Sequence, residues 1–206
     1  MELRKKQLYI TWGIVIGVLL IDQIIKILVK TNMPLHDSIR IFDWFYISFT
    51  ENNGMAFGIE FIGKLFLTLF RIAAVFAIVY FIYKCVKNVA KTGFIVCMAM
   101  IVAGAAGNII DCMFYGLIFS ESTHTQVAQF VALGDGYQSF LHGRVVDMFY
   151  FPLFEFHWPE WVPFVGGDLF RFFGPIFNFA DASITLGVIG LLIGYPKSLS
   201  KHFNAL

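Results

Sequence analysis

Polar side chains recur at helical spacing within the most apolar parts of this sequence. Three pairs lie three or four residues apart: Asp22 and Lys26, Asn108 and Asp111, and Asn178 and Asp181. Each spacing places both members of a pair on one face of a helix. A charged side chain at the centre of a membrane-spanning helix costs about 2.5–3.5 kcal/mol, so polar pairs in such segments indicate a functional or structural site.

One more carboxylate, Asp147, lies in the apolar, strand-like stretch from Gly143 to Met148. Asp147 and Asp181 come from different segments and are predicted to face each other where water meets lipid. Two carboxylates at close range do not both ionise cheaply, so one of them keeps its proton. Such a pair supplies the complementary acid and base of an aspartic protease. The sequence has no HExxH motif, Ser/His/Asp order or phosphate-binding glycine loop that would favour another chemistry.

The composition excludes most other classes of protein. Of the 206 residues, 58% are hydrophobic and 14% are charged, and the mean hydropathy is +0.74. Soluble domains contain about 25% charged residues, so this chain is predicted to be an integral membrane protein. The net charge of +1 gives no electrostatic basis for binding nucleic acid. The three cysteines form no CxxC or Cys/His pattern, so we expect neither a metal nor another cofactor.

Four apolar segments have the length of a membrane-spanning helix, at about residues 8–29, 62–83, 93–115 and 176–195. Lysine and arginine concentrate at the N-terminus, in the 84–92 loop and in the C-terminal tail. The positive-inside rule therefore predicts that both termini are cytoplasmic. In this topology all three polar pairs fall at the outer ends of their helices.

The two outer segments, residues 31–61 and 116–175, are expected to belong to the same single domain, 1–206. Alternating residues at 39–42 and 44–49 predict short strands on the outer surface. The longer segment is rich in aromatic residues, glycine and proline, which favours a cap lying at the membrane interface. The predicted fold class is therefore a mainly α membrane protein with four transmembrane helices, a small outer β-structure and a long interfacial loop.

Five short segments carry a family resemblance: Asp22–Lys26, Asn52–Gly58, Gly107–Asp111, Val145–Asp147 and Phe177–Asp181. In this order they resemble the sequence blocks of lipoprotein signal peptidase, also called signal peptidase II. The resemblance implies an aspartyl protease of the bacterial inner membrane, with a small outer β-cradle, no metal and an active site near the outer face. It also implies a substrate, a prolipoprotein that carries diacylglyceryl-cysteine and is cut on the N-terminal side of that cysteine. Membrane lipids would surround the enzyme, which we expect to be a monomer.

The resemblance also implies roles for individual residues. Asp147 and Asp181 match the catalytic dyad. The residues that would bind substrate or support the site are Asp22, Lys26, Asn52, Gly54, Ala56, Asn108, Asp111, Asn178 and Ala180. Within this set we expect Asp22 and Lys26 to order the first helix, whereas Asn108 and Asp111 fit a structural role and contact with substrate equally well.

The sequence departs from the family at one informative position. The family usually has arginine directly after the aspartate of the third helix, and this chain has Cys112 there. We predict that Arg144, three residues before Asp147, supplies the missing cation near the substrate. Two other functions stay open: a small proton-coupled membrane carrier and a noncatalytic lipoprotein-binding membrane protein.

Overall fold

The computed structural model describes residues 2–53 and 63–203. Its helices are α1 (Glu2–Asn32), α2 (Lys64–Lys87), α3 (Thr92–Ile110), α4 (Phe179–Ile189) and α5 (Pro196–Phe203). A π-helical turn, Asp111–Tyr115, and a last turn, Gly116–Ile118, extend α3. A second π-helical turn, Gly190–Gly194, extends α4.

Within the described residues, three helices are long and apolar enough to cross a membrane: α1, α2 and the extended α3. The extended α4 and α5 pass the same test only as a pair, bent by 93° where they join, and they give a fourth span if the pair crosses as one. The predicted mainly helical membrane fold with small antiparallel sheets is confirmed. The helices are longer than their apolar cores, because lysine and arginine are good helix formers and continue α1 and α2 into the flanking polar sequence. The loop between α2 and α3 is correspondingly shorter than the predicted 84–92.

Helix α1 buries its polar residues and exposes its apolar ones. Asp22, Lys26 and Lys30 form a row with a spacing of four residues, and all three are fully buried. Leu20 and Leu28 are each 58% exposed. This arrangement suits a helix whose outer face contacts lipid, because charged groups are stable there only when they pair inside the protein.

Helix α3 lies between α1 and α4 and approaches both closely. A Cβ atom on Gly104 would lie 2.2 Å from the carbonyl oxygen of Ala180, and one on Gly107 would lie 2.7 Å from Oδ2 of Asp22. Glycine at these two positions therefore allows the first turn of α4 and the polar row of α1 to meet against α3.

In the part of the chain that the structure describes, the segments predicted to be outer, 31–61 and 116–175, contain two antiparallel sheets. In the first, β1 (Ser38–Phe42), β2 (Phe45–Asn52) and β3 (Val145–Tyr150) lie in that order. The second is a hairpin of β4 (Phe154–His157) and β5 (Leu169–Phe172). The strands predicted within 31–61 correspond to β1 and β2, whereas the hairpin was not predicted. Strand β3 places Asp147 opposite Thr50 of β2, which brings the end of β2 to the predicted site.

Candidate active site

Asn178 connects the two aspartates of the predicted dyad, Asp147 and Asp181. Its Nδ2 donates a hydrogen bond of 2.6 Å to Oδ1 of Asp147, and its Oδ1 accepts one of 2.9 Å from the backbone N–H of Asp181. The Asp181 carboxylate accepts in turn from the backbone N–H of Asn178, at 3.4 Å. This reciprocal arrangement is a capping box at the start of α4. The motif that begins the helix therefore also holds both carboxylates.

Two further asparagines donate to the dyad. Nδ2 of Asn108 lies 2.7 Å from Oδ1 of Asp181, and Nδ2 of Asn52 lies 3.4 Å from Oδ2 of Asp147. Oδ1 of Asn108 accepts from Nδ2 of Asn178 at 3.1 Å. The amides thus form one connected network that includes the dyad and residues from β2, α3 and α4.

Two aspartates outside the dyad accept hydrogen bonds from the backbone next to the dyad residues. Oδ1 of Asp22 accepts the N–H of Ala180 at 2.9 Å, and Oδ2 of Asp111 accepts the N–H of Val146 at 3.3 Å. Each hydrogen bond therefore fixes the backbone of the residue directly before a dyad aspartate. Nζ of Lys26 lies between the two, 2.9 Å from Oδ2 of Asp22 and 2.7 Å from Oδ2 of Asp111. The lysine also donates to the Asn108 amide, at 2.8 Å.

The two dyad carboxylates lie in different electrostatic surroundings. Burial and, after it, the negative charge of Asp181 raise the pKa of Asp147 to about 7. The hydrogen bonds from Asn178 and Asn52 act on this pKa in the opposite direction, with smaller effect. Asp181 lies in the first turn of α4, where the helix dipole favours a negative charge. The arrangement therefore favours a proton on Asp147.

Each dyad aspartate lines a different space. Asp147 lines a mainly polar cavity of about 440 Å³ together with Asn52 and Asn53. Asp181 lines a nearly apolar groove of about 530 Å³ together with Phe177 and Leu186. The segment 173–177 contributes to both spaces. The dyad thus lies at the boundary between polar and apolar surroundings.

The structure brings nine predicted residues into this network: Asp22, Lys26, Asn52, Asn108, Asp111, Asp147, Asn178, Ala180 and Asp181. Gly54 and Ala56 lie outside the described residues. Within residues 2–53 and 63–203, no group of three or more His, Cys, Asp or Glu side chains is arranged to hold a metal ion.

Arg144 lies in an ion network. Its Nη1 is 3.1 Å from Oε2 of Glu51, and its Nη2 is 3.1 Å from Oε1 of Glu121. Cys112, at the position where the family has arginine, is buried in the π-helical turn of α3. A contact between Arg144 and substrate stays a prediction.

Several polar residues of this region were not predicted. Gln23 donates to Oδ1 of Asp111 at 2.9 Å and accepts from the hydroxyl of Tyr115 at 3.1 Å. Lys30 and Glu51 form a buried ion pair. The sequence does contain a signal for Lys30, because it continues the four-residue spacing of Asp22 and Lys26.

The fold and this geometry define a class, an integral membrane protein with two hydrogen-bonded aspartates, Asp147 buried and Asp181 half-buried, near one end of its helices. Residues 14–196 match the family model of signal peptidase (SPase) II. The chain therefore belongs to the signal peptidase II family, which is a family of peptidases.

Relatives and solved structures agree with this assignment. The chain is 52% identical to the lipoprotein signal peptidase of Porphyromonas gingivalis, over 91% of this chain and 83% of the relative. It is 32% identical to that of Amoebophilus asiaticus, over 95% and 81% of the two chains. A solved structure described as a bacterial membrane enzyme is 27% identical, with a TM-score of 0.62 and coverage of 93% of this chain and 90% of the other.

Proposed function

We propose that this protein is an aspartic endopeptidase that removes signal peptides from prolipoproteins carrying diacylglyceryl-cysteine, and that it cuts on the N-terminal side of that cysteine. The relatives named above are lipoprotein signal peptidases, which supports the substrate class. The observation that carries the aspartyl mechanism is that Asn178 hydrogen-bonds both carboxylates, the buried one of Asp147 and the half-buried one of Asp181.

Asp181 is the base and Asp147 the acid. Ionised Asp181 takes a proton from a water molecule, whose oxygen attacks the scissile carbonyl carbon. Protonated Asp147 donates its proton to the carbonyl oxygen, which gives a tetrahedral intermediate with two hydroxyl groups. As the C–N bond then breaks, Asp181 gives the proton that it took from water to the leaving amine, and Asp147 takes a proton back from one hydroxyl. The raised pKa of Asp147, about 7, supports this assignment because it keeps the proton available near neutral pH.

The two spaces beside the dyad fit the two halves of such a substrate. The apolar signal segment before the cysteine suits the groove beside α4, and the polar polypeptide after the cysteine suits the cavity beside β2. The diacylglyceryl chains would remain in the bilayer. Anchoring the substrate in lipid raises its effective concentration at the dyad, which is catalysis by proximity.

The enzyme lies in the bacterial inner membrane as a monomer, with both termini in the cytoplasm. The basic residues at the N-terminus, at 84–91 and at 197–201 support this orientation. The dyad then faces the outer leaflet, because it is held by the C-terminal ends of α1 and α3 and by the N-terminal end of α4.

The decisive experiment is cleavage of a diacylglyceryl-modified prolipoprotein by the purified protein in detergent or lipid. Asp147→Asn and Asp181→Asn test the dyad, and Asp168→Asn, at an exposed carboxylate beside β5, is the matched control. We expect cleavage by the wild type and by Asp168→Asn, insensitive to a zinc chelator, and its loss in both dyad variants. Binding without cleavage by the wild type would instead support the noncatalytic alternative, and transport without cleavage would support the carrier.

A further inference from the structure

A second buried charge cluster lies beside the dyad, and the proposed mechanism does not use it. Glu51 is its centre, with a side chain only 2% exposed. Its Oε1 pairs with Nζ of Lys30, and its Oε2 lies 3.1 Å from Nη1 of Arg144. Ser122 completes the cluster, because its hydroxyl donates to Oε1 of Glu51 at 2.9 Å and accepts from Lys30 at 2.8 Å.

Tyr137 packs against both cations of this cluster. Nζ of Lys30 lies 4.9 Å from the centre of the Tyr137 ring, and Cζ of Arg144 lies 5.1 Å from it. The Tyr137 hydroxyl accepts the backbone N–H of Arg144 at 2.6 Å. The contacts fix the backbone as well as the side chain of Arg144.

The cluster joins the elements that carry the site. Glu51 directly precedes Asn52, which donates to the dyad, and Arg144 directly precedes β3, which carries Asp147. In the register of the sheet Asn52 is opposite Val145, and Glu51 is opposite Val146. The Glu51–Arg144 ion pair therefore links the end of β2 to the start of β3, three residues before Asp147.

Because these charged groups are buried, their stability depends closely on the positions of their partners. An ion desolvated inside a protein is stable only with a well-placed partner, and removal of one partner leaves an uncompensated charge. Glu51 pairs with two cations at once, Lys30 on α1 and Arg144 directly before β3. A shift of β2 would therefore separate Glu51 from at least one of them. The cluster thus selects one position of β2 relative to α1 and β3.

We propose that Glu51 is a positioning residue, which pairs with Lys30 and Arg144 to hold Asn52 and Asp147 in the geometry that cleavage requires. This inference rests on the proposed peptidase function. Arg144 acts through Glu51, so its substitution slows the chemical step without weakening substrate binding. A direct contact between Arg144 and substrate would affect KM instead.

The test is a double-mutant cycle with Glu51→Gln, Arg144→Gln and the double variant. Steady-state cleavage kinetics and thermal unfolding are measured for each. The matched control is Glu155→Gln and Arg171→Gln, which break an arginine–glutamate pair of 2.8 Å across β4 and β5 whose side chains are about half exposed.

We expect each single variant of the cluster to lower kcat about ten- to a hundredfold with KM within about twofold, as misplacement of catalytic groups by about 1 Å does. The double variant should be no slower than the slower single variant, because both substitutions break the same contact. The control pair should stay within about twofold of the wild type in both constants.

Two outcomes would overturn the inference. Wild-type kcat in Glu51→Gln with a lowered unfolding temperature would mean that the cluster only stabilises the fold. A raised KM in Arg144→Gln, additive with Glu51→Gln, would place Arg144 on the substrate. If Glu51→Gln does not fold, Arg144→Gln alone decides, since its guanidinium is partly exposed.

Asp147→Asn, measured in the same series, separates this inference from the proposed function. An active Asp147→Asn would refute the dyad and the positioning role together. An inactive Asp147→Asn with unimpaired Glu51→Gln would refute the positioning role alone.

Discussion

The two sheets of this protein each contain an arginine–glutamate pair that joins neighbouring strands, but the surroundings of the pairs differ. In the first sheet Glu51 is buried and also pairs with Lys30. In the β4–β5 hairpin Glu155 and Arg171 lie on the surface. Exposed pairs contribute about 0–1 kcal/mol, whereas a buried pair that loses one member costs about 3–5 kcal/mol. The contribution of an arginine–glutamate pair to stability therefore depends on how deeply it is buried and on which other groups it contacts.

The largest difference between the sheets should appear in catalysis. Asp147→Asn, in β3, is expected to lower kcat by about a hundred- to ten-thousandfold, because it removes the general acid. Asp168→Asn, next to β5, should leave kcat within about twofold of the wild type. Cleavage of a diacylglyceryl-modified prolipoprotein measures both. Comparable losses of kcat in the two variants would show that the first sheet has no special role in catalysis.

Stability should separate the two sheets next. Lys30→Met keeps the volume of the side chain but leaves Glu51 facing one cation fewer, and it should destabilise the protein by about 3–5 kcal/mol. Arg171→Met should cost less than about 1 kcal/mol. Unfolding in detergent, followed by intrinsic fluorescence, gives both values. A similar cost for the two variants would show that burial does not set the strength of these pairs.

The pH dependence of stability should be a smaller effect confined to the first sheet. The pKa of Asp147 is about 7 in the folded protein and about 4 in an unfolded chain. Its proton therefore stabilises the fold at low pH, and this contribution is lost as the pH rises through about 7. Asp147→Asn cannot ionise, so its unfolding temperature should fall several degrees less than that of the wild type between pH 5 and pH 8. Asp168→Asn should follow the wild type across the same range.

The smallest expected effect concerns the loop of the hairpin. Trp161 is 81% exposed, and we predict that it anchors the hairpin at the membrane interface. Trp161→Ala should change kcat in detergent by less than about twofold. In vesicles, brominated lipids should quench the fluorescence of the wild type more than that of Trp161→Ala. Equal quenching would place this side chain away from the lipid.

Much of the first sheet and of the site could be predicted from sequence, because the relevant patterns are local. The spacing of Asp22 and Lys26 determines that they share a helix face. The apolar run at 176–195 predicts the fourth helix, and α4 begins three residues later, at Phe179, because Asn178 caps it. The cost of polar residues in a membrane indicated that the three pairs form a site.

The remaining contacts depend on tertiary structure. Glu51 and Arg144 are separated by 93 residues, and no periodicity connects them. Lys30 continues a visible row, but a lysine near the end of a spanning helix is ordinarily expected to extend toward the interface. The β4–β5 hairpin was missed because its short alternating strands lie within a segment rich in glycine, proline and aromatic residues. The contact of Asn178 with Asp147 requires β3 to lie beside α4, which no local pattern determines.

Main-chain hydrogen bonds hold both dyad aspartates in place, and this sets which substitutions the neighbouring positions tolerate. Asp22 and Asp111 bind the N–H groups of Ala180 and Val146, and every amino acid except proline has such a group. The side chains at these two positions are thus constrained by the space around them and not by any chemistry that they perform. Related enzymes should accordingly vary there among small and apolar residues, while proline is excluded from both positions.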